Sequence, residues 1–256
     1  MKKELEVKPT ALPLSTVSAA DWGPDEYVGG SDIVIAKILP MQPSSVLVTD
    51  GKAVMGEFRD SVTGVKMGSI VEPIEVIPFH IEKFWDILVK DGDQFEWDHS
   101  EALIENPALA GYNDNLPWTD TVDGQEIKRV RRMNFYVLLP SEVVTGASVP
   151  YILSFKSTSF REGKKIFTQM YLRNKKAGLV RSAYTFKLSG LKQKNDKGTF
   201  IVPTVELGRA SSNAENIECL NWFRMIQKGG VKVDDSDLKD GGAAVLDIDD
   251  TGAGNF

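Results

Sequence analysis

Five segments between residues 128 and 207 decide the reading of this chain: KRVRRMNFYVLL (128–139), VPYILSF (149–155), SFREGKKIFTQMYL (159–172), VRSAYTFKL (180–188) and TFIVPTVEL (199–207). The first two and the last two are dense in aromatic and β-branched residues and read as strands. The middle one reads as a helix. Ser159 and Glu162 have capping-box spacing, and the helix is predicted to run to Leu172. Phe160, Phe167, Met170 and Tyr171 share one helical face, while Arg161, Lys165, Gln169 and Arg173 form a polar stripe at spacing four. Strands before and after one helix, without βαβ alternation, predict a mainly β fold with minor α content. The order comes closest to an OB-like barrel, here with extra strands and insertions.

Outward from this block, GLKQKNDKG (190–198) is a basic turn, and Ser212 with Glu215 opens a C-terminal helix predicted to end near Gln227. Toward the N-terminus, Asp32–Leu39 reads as a buried strand stopped by Pro40 and Pro43. Ser45–Val48 is a short segment before an Asp50-Gly51 turn, and Thr63-Gly64 sits between two short strands as a hairpin. Ile70–Phe79 is a strand whose prolines place it at an edge or bulge, and Phe84–Lys90 is a strand or a helical turn. The domain plan is an irregular segment at 1–30, one OB-like domain at 31–230 with an acidic insertion near 91–125, and a flexible acidic tail at 231–256.

Charge is segregated along this plan. Residues 1–125 hold 9 Lys/Arg against 22 Asp/Glu, whereas residues 126–198 hold 16 against 4. The tail holds 2 bases and 7 acids, with much Gly and Ala, and cannot bury enough apolar surface to fold alone. A basic block between acidic flanks is an electrostatic footprint for phosphates, although the whole chain carries −6. Aromatics interleave with these cations, which is the composition of a single-strand groove: charge along the backbone and rings for bases. The candidate DNA contacts are Lys128, Arg129, Arg131, Arg132, Tyr136, Lys156, Arg161, Lys164, Lys165, Arg173, Arg181 and Lys187. Strand alternation puts Arg132, Asn134 and Tyr136 on one face, the better ligand face, with Arg132 and Lys156 exposed. Tyr184 and Phe186 read as core, and Lys192, Lys194 and Lys197 crowd the turn.

The basic β block, its aromatics and the acidic tail closing on Phe256 resemble bacterial and phage single-stranded DNA-binding proteins. The stretch VPYILSF…FTQMYLRN…YTFKL…NDKGTFIVPTVEL is also similar to phage-encoded replication accessory proteins. The resemblance implies single-stranded DNA as ligand and replication or recombination proteins as partners. It also implies a tail that docks on those partners and shields the groove in the free protein. Asp249, Asp250 and Phe256 carry over as partner-binding residues. The bacterial pattern sets acids and a proline directly before the last Phe, whereas Thr251-Gly252-Ala253-Gly254-Asn255 intervene here.

Other chemistry has little support. Asp91-Gly92-Asp93 with Asp98 has the start of calcium-loop spacing without the later ligands. No phosphate-binding glycine loop, dinucleotide fingerprint or nucleophile elbow occurs, so no cofactor is expected, and a non-enzymatic protein is. Cys219 is the only cysteine, His80 and His99 are the only histidines, and a structural zinc site is not expected. No apolar run spans a membrane and the N-terminus lacks a signal-peptide core, so a cytoplasmic location, the host's for a phage protein, is expected. The alternative reading is a metal-dependent nuclease drawing ligands from the acidic half. A third is a virion or assembly protein whose tail meets basic partners.

Overall fold

The computed structural model describes residues 33–228, apart from Lys197, and the strand Val231–Val233. Within them the chain is mainly β, with antiparallel sheets and a C-terminal helix. The expected tail sites Asp249, Asp250 and Phe256 and the N-terminal segment lie outside the described residues. Val231–Val233 (β12), assigned to the tail from sequence, instead pairs in parallel with Ile33–Ile35 (β1).

The organising element is β5, Ile74–Asp91, which joins two segments that the sequence left separate. On one side it pairs with β8 (Gln125–Leu138) from Ile77 to Val89. On the other side it changes partner. Ile74–Val76 pair with β10 (Tyr184–Asn195), and Phe84–Asp91 pair with β6 (Gln94–Ala102). An 18-residue strand spans about 60 Å when straight, too long to lie flat on one small core. A register shift between Pro78 and His80 interrupts the ladder where the partner changes.

From β5 the path continues to β9 (Tyr151–Lys156) beyond β8, and to β11 (Gly198–Ala210) beyond β10. The order β9-β8-β5-β10-β11 is antiparallel at every step, and the helical segment 157–176 connects β9 to β10. The chain preceding β5 lies between the two ends of this path. The Ala36 carbonyl accepts from Ile152 of β9, and the Gln42 side chain exchanges two hydrogen bonds with the Ile201 backbone of β11, at 2.9 and 2.8 Å. Asp32–Leu39 is thus divided between β1 and β2 (Ile38–Pro40), and β2 pairs with the hairpin β3 (Glu57–Asp60)–β4 (Lys66–Ser69). Val46–Thr49 forms a short helix, α1, the insertion carries β6 and β7 (Thr119–Val122), and a second short helix, α2 (Pro140–Thr145), follows β8.

The main core is enclosed by this path. Met133, Phe135 and Val137 of β8 meet Leu153 and Phe155 of β9, Val76 of β5, Phe186 and Leu188 of β10, and Val205 of β11. The opposite face of β8 is covered as well. The C-terminal helix α5 (Asn213–Gln227) lays Cys219, Trp222, Phe223 and Ile226 on Tyr136, Leu138, Ile152 and Ile77. Its start is the expected capping box, with Ser212 Oγ accepting from the Glu215 amide and Glu215 accepting from that of Ser212.

The connecting helix is less regular than its sequence suggests. A 3₁₀ turn at Ser157–Ser159 leads into α3 (Phe160–Phe167), a π-helical turn (Thr168–Arg173) and α4 (Asn174–Lys176). Ser159 does not cap Glu162. Its hydroxyl bonds the Lys156 backbone, while Glu162 accepts from the Val205 amide at 3.0 Å and pairs with Lys165. That carboxylate pins α3 against β11. Gly163 permits a close seat of α3 on β9, since a Cβ there would lie 3.0 Å from that of Phe155.

Candidate nucleic-acid interface

The expected contacts divide into two groups. Those on β8 are largely buried or paired within the fold. Arg132 is 2% exposed, and its Nε donates to Asp86 Oδ1 at 2.9 Å while Nη2 donates to Ser100. Arg129 is buried and reaches Asp120 and the Pro117 carbonyl. Arg131 lies 2.5 Å from Asp114 Oδ1 and over the rings of Trp85 and Trp118. Tyr136 is buried and donates to Glu82 at 2.8 Å. The expected exposure of Arg132 and Tyr136 is therefore corrected. Alternation places them on one face as expected, but α5 and the acidic insertion form a second layer over it. Lys128, near the Phe95 ring, and Lys156, opposite Arg132 in register, are half-buried. Arg181 is exposed, with its guanidinium 4.6 Å from the Tyr171 ring and 5.6 Å from that of Phe223.

The helical group behaves differently. Arg161, Lys164, Lys165 and Arg173 are exposed and line one groove of about 440 Å³ between α3 with its π turn and the β10–β11 hairpin. Phe186, Val205 and Leu207 form its apolar lining, and Thr168 and Gln169 complete it. An α-helical stripe at spacing four drifts by about 40° per step, which would carry Arg173 away from Arg161. The wider π turn offsets that drift over the last step. Among the described residues Arg161 and Arg173 form no ion pair, and Lys164 lies over the Phe160 ring at 5.3 Å.

A second groove of about 520 Å³ shares Leu207 and is lined by Pro73, Glu75, Lys187, Gly208 and Arg209. It adds the expected Lys187. Arg209 is anchored there by Glu215 and Glu75, and its pairing with Glu215 holds that carboxyl below the ordinary value. Beyond the grooves the hairpin exposes Lys192 and Lys194, while Lys197 is outside the described residues. Sequence reasoning missed Leu207 and Arg209, because nothing in TFIVPTVELGRA separates groove wall from core.

Among the described residues no three His, Cys, Asp or Glu side chains are grouped to hold a metal ion. No described helix is long and apolar enough to cross a membrane. His80 packs against Tyr136 and Phe223, and burial, with the charge of Arg181 second, holds it below the usual histidine value. His99 is paired with Asp98 and Glu101, which raises it.

No curated protein and no solved structure matches the chain. Residues 8–232, which include every element described above except the last residue of β12, match the family described as Pam3 phage gp34-like protein, and the chain belongs to that phage family.

Proposed function

We propose that this phage protein binds single-stranded DNA without strong sequence preference, in replication or recombination, as a non-enzymatic OB-like module. The observation that carries the reading is the groove between α3 and β11, where four cations surround an apolar floor. That pairing of charge with apolar surface suits a polyanion whose bases are unstacked and available. The strand order β9-β8-β5-β10-β11 with an intervening helix supports the OB-like assignment. OB barrels bind on the face of their second and third strands and with two flanking loops. In this chain the outer side of β8 is covered, so the strand's path moves to α3 and the β10–β11 hairpin. The tail, with Asp249, Asp250 and Phe256, lies beyond the family match and is proposed to recruit replication or recombination partners in the host cytoplasm.

Electrophoretic mobility shift with fluorescent single-stranded and duplex oligonucleotides, with and without Mg²⁺, tests this. Retardation of intact single strands is expected, with log affinity falling against log salt by about 0.7 per phosphate contact. A salt-independent affinity, or cleavage on adding Mg²⁺, overturns it, the latter in favour of a metal-dependent nuclease. Truncation after Val233, which leaves β12 in place, is expected to abolish partner binding while DNA binding remains.

A further inference from the structure

Beside its apolar floor the groove is lined by a polar side chain, Gln169, whose orientation follows from its buried neighbour Asn174. Asn174 is 1% exposed, and its Nδ2 lies 3.2 Å from the Val180 carbonyl and 3.1 Å from that of Arg181. Two carbonyl acceptors on one end of an amide identify that end as nitrogen, so Asn174 Oδ1 is an acceptor. The Gln169 side chain meets that oxygen at 2.8 Å and must present its own nitrogen there. Its Oε1 is therefore turned away from Asn174, and among the described residues it accepts no hydrogen bond. Gln169 is 9% exposed and lines the groove. It lies within the π turn, which also carries the groove cation Arg173. The neighbouring carboxylate, Glu162, is engaged by the Val205 amide and Lys165.

We propose that this groove is a nucleobase pocket on the single-strand path, in which Gln169 Oε1 accepts a hydrogen bond from the pairing edge of one unpaired base. The inference rests on the single-strand reading above and deepens it. Leu207 supports the base, and Arg161, Lys164 and Arg173 hold the adjacent phosphates. Every DNA base offers an N–H on its pairing edge, whether the ring N–H of thymine and guanine or the amino group of adenine and cytosine. In a duplex those N–H groups are already donated to the opposite strand. One fixed acceptor therefore distinguishes single strand from duplex while discriminating poorly among bases. A held acceptor left without its donor is costly, which makes the contact selective.

The test is a fluorescence titration of the full-length protein with an oligothymidylate and with the same oligonucleotide carrying N3-methylthymine throughout. The methyl group removes the ring N–H and leaves charge and base faces in place. The methylated strand is expected to bind about tenfold more weakly, the equivalent of one lost hydrogen bond to a held group. Gln169→Met is expected to remove that difference. Because Gln169 also holds Asn174, Leu207→Glu serves as the second variant. It places a carboxylate on the groove wall at an exposed position outside the Gln169–Asn174 pair, and is expected to weaken oligothymidylate binding while the melting temperature is kept. Equal affinity of the wild-type protein for both strands, or unchanged binding by Leu207→Glu, overturns the pocket and leaves single-strand binding standing. Absence of binding to oligothymidylate overturns the single-strand reading itself and the pocket with it.

Discussion

Two basic stretches, similar in composition, have opposite fates. On β8, Arg129, Arg131 and Arg132 turn inward or sideways and meet Asp120, Asp114 and Asp86 from the acidic half of the chain. On the helical segment, Arg161, Lys164 and Arg173 face solvent around a groove and are not neutralised by any described carboxylate. The acidic first half is thus the internal counterion of the β8 block. Part of the large positive charge read from residues 126–198 is consumed in the fold. Exposed cations lie instead on α3 with its π turn and on the β10–β11 hairpin. A run of cations on a strand that is covered on both faces is a structural feature, whereas cations on one stripe of a half-covered helix remain available.

The largest effect is expected at Arg132. Arg132→Met strands the Asp86 carboxylate in the interior and should cost about 3–5 kcal/mol by chemical denaturation. Arg132→Met combined with Asp86→Leu should recover most of that loss. A marginal single-variant effect would return β8 to the surface. Next is the helical group. Arg161→Glu, Lys164→Glu and Arg173→Glu together should weaken single-strand binding by at least about tenfold, or ~1.4 kcal/mol. The salt slope should fall by about 2, while each substitution shifts stability by no more than about 0.5 kcal/mol. Normal binding by that folded variant would remove the groove.

Smaller effects sharpen the comparison through α5, the layer that covers β8. Ser212→Ala removes the cap acceptor of the Glu215 amide and should cost about 1 kcal/mol, read by thermal melting. The smallest expected effect is the pH response of His80, whose buried Nδ1 has no hydrogen-bond partner among the described residues. Its folded-state value lies below 6.5, so as pH falls the unfolded chain takes up the proton first. The stability that neutral His80 contributes is complete above pH 6.5 and is lost as pH falls from there toward the folded value. The melting temperature of the wild type should therefore fall relative to that of His80→Phe on acidification. Parallel curves would show that His80 is not the titrating group.

Much of the architecture was legible from local signals. Alternation in MNFYVLL, the succession of strands around one helix, the Ser212–Glu215 cap and the polar stripe at 161, 165, 169 and 173 all depend on interactions a few residues apart. Such periodicities are set by backbone geometry, which is why the mainly β class and the rim of the groove were visible in them. Partner choice is set by distance in space instead. Asp86 lies 46 residues from Arg132, and Gln42 lies 159 from Ile201, with no local trace of either pairing. The same holds for the fusion of two segments into β5 and for the orientation of Gln169 by Asn174 at a π turn. Local pattern was enough to mark most strands, two helical segments and the cations along the chain. Which cations are neutralised depends on packing between distant segments, because a buried charge must find its counterion wherever the fold brings one within reach.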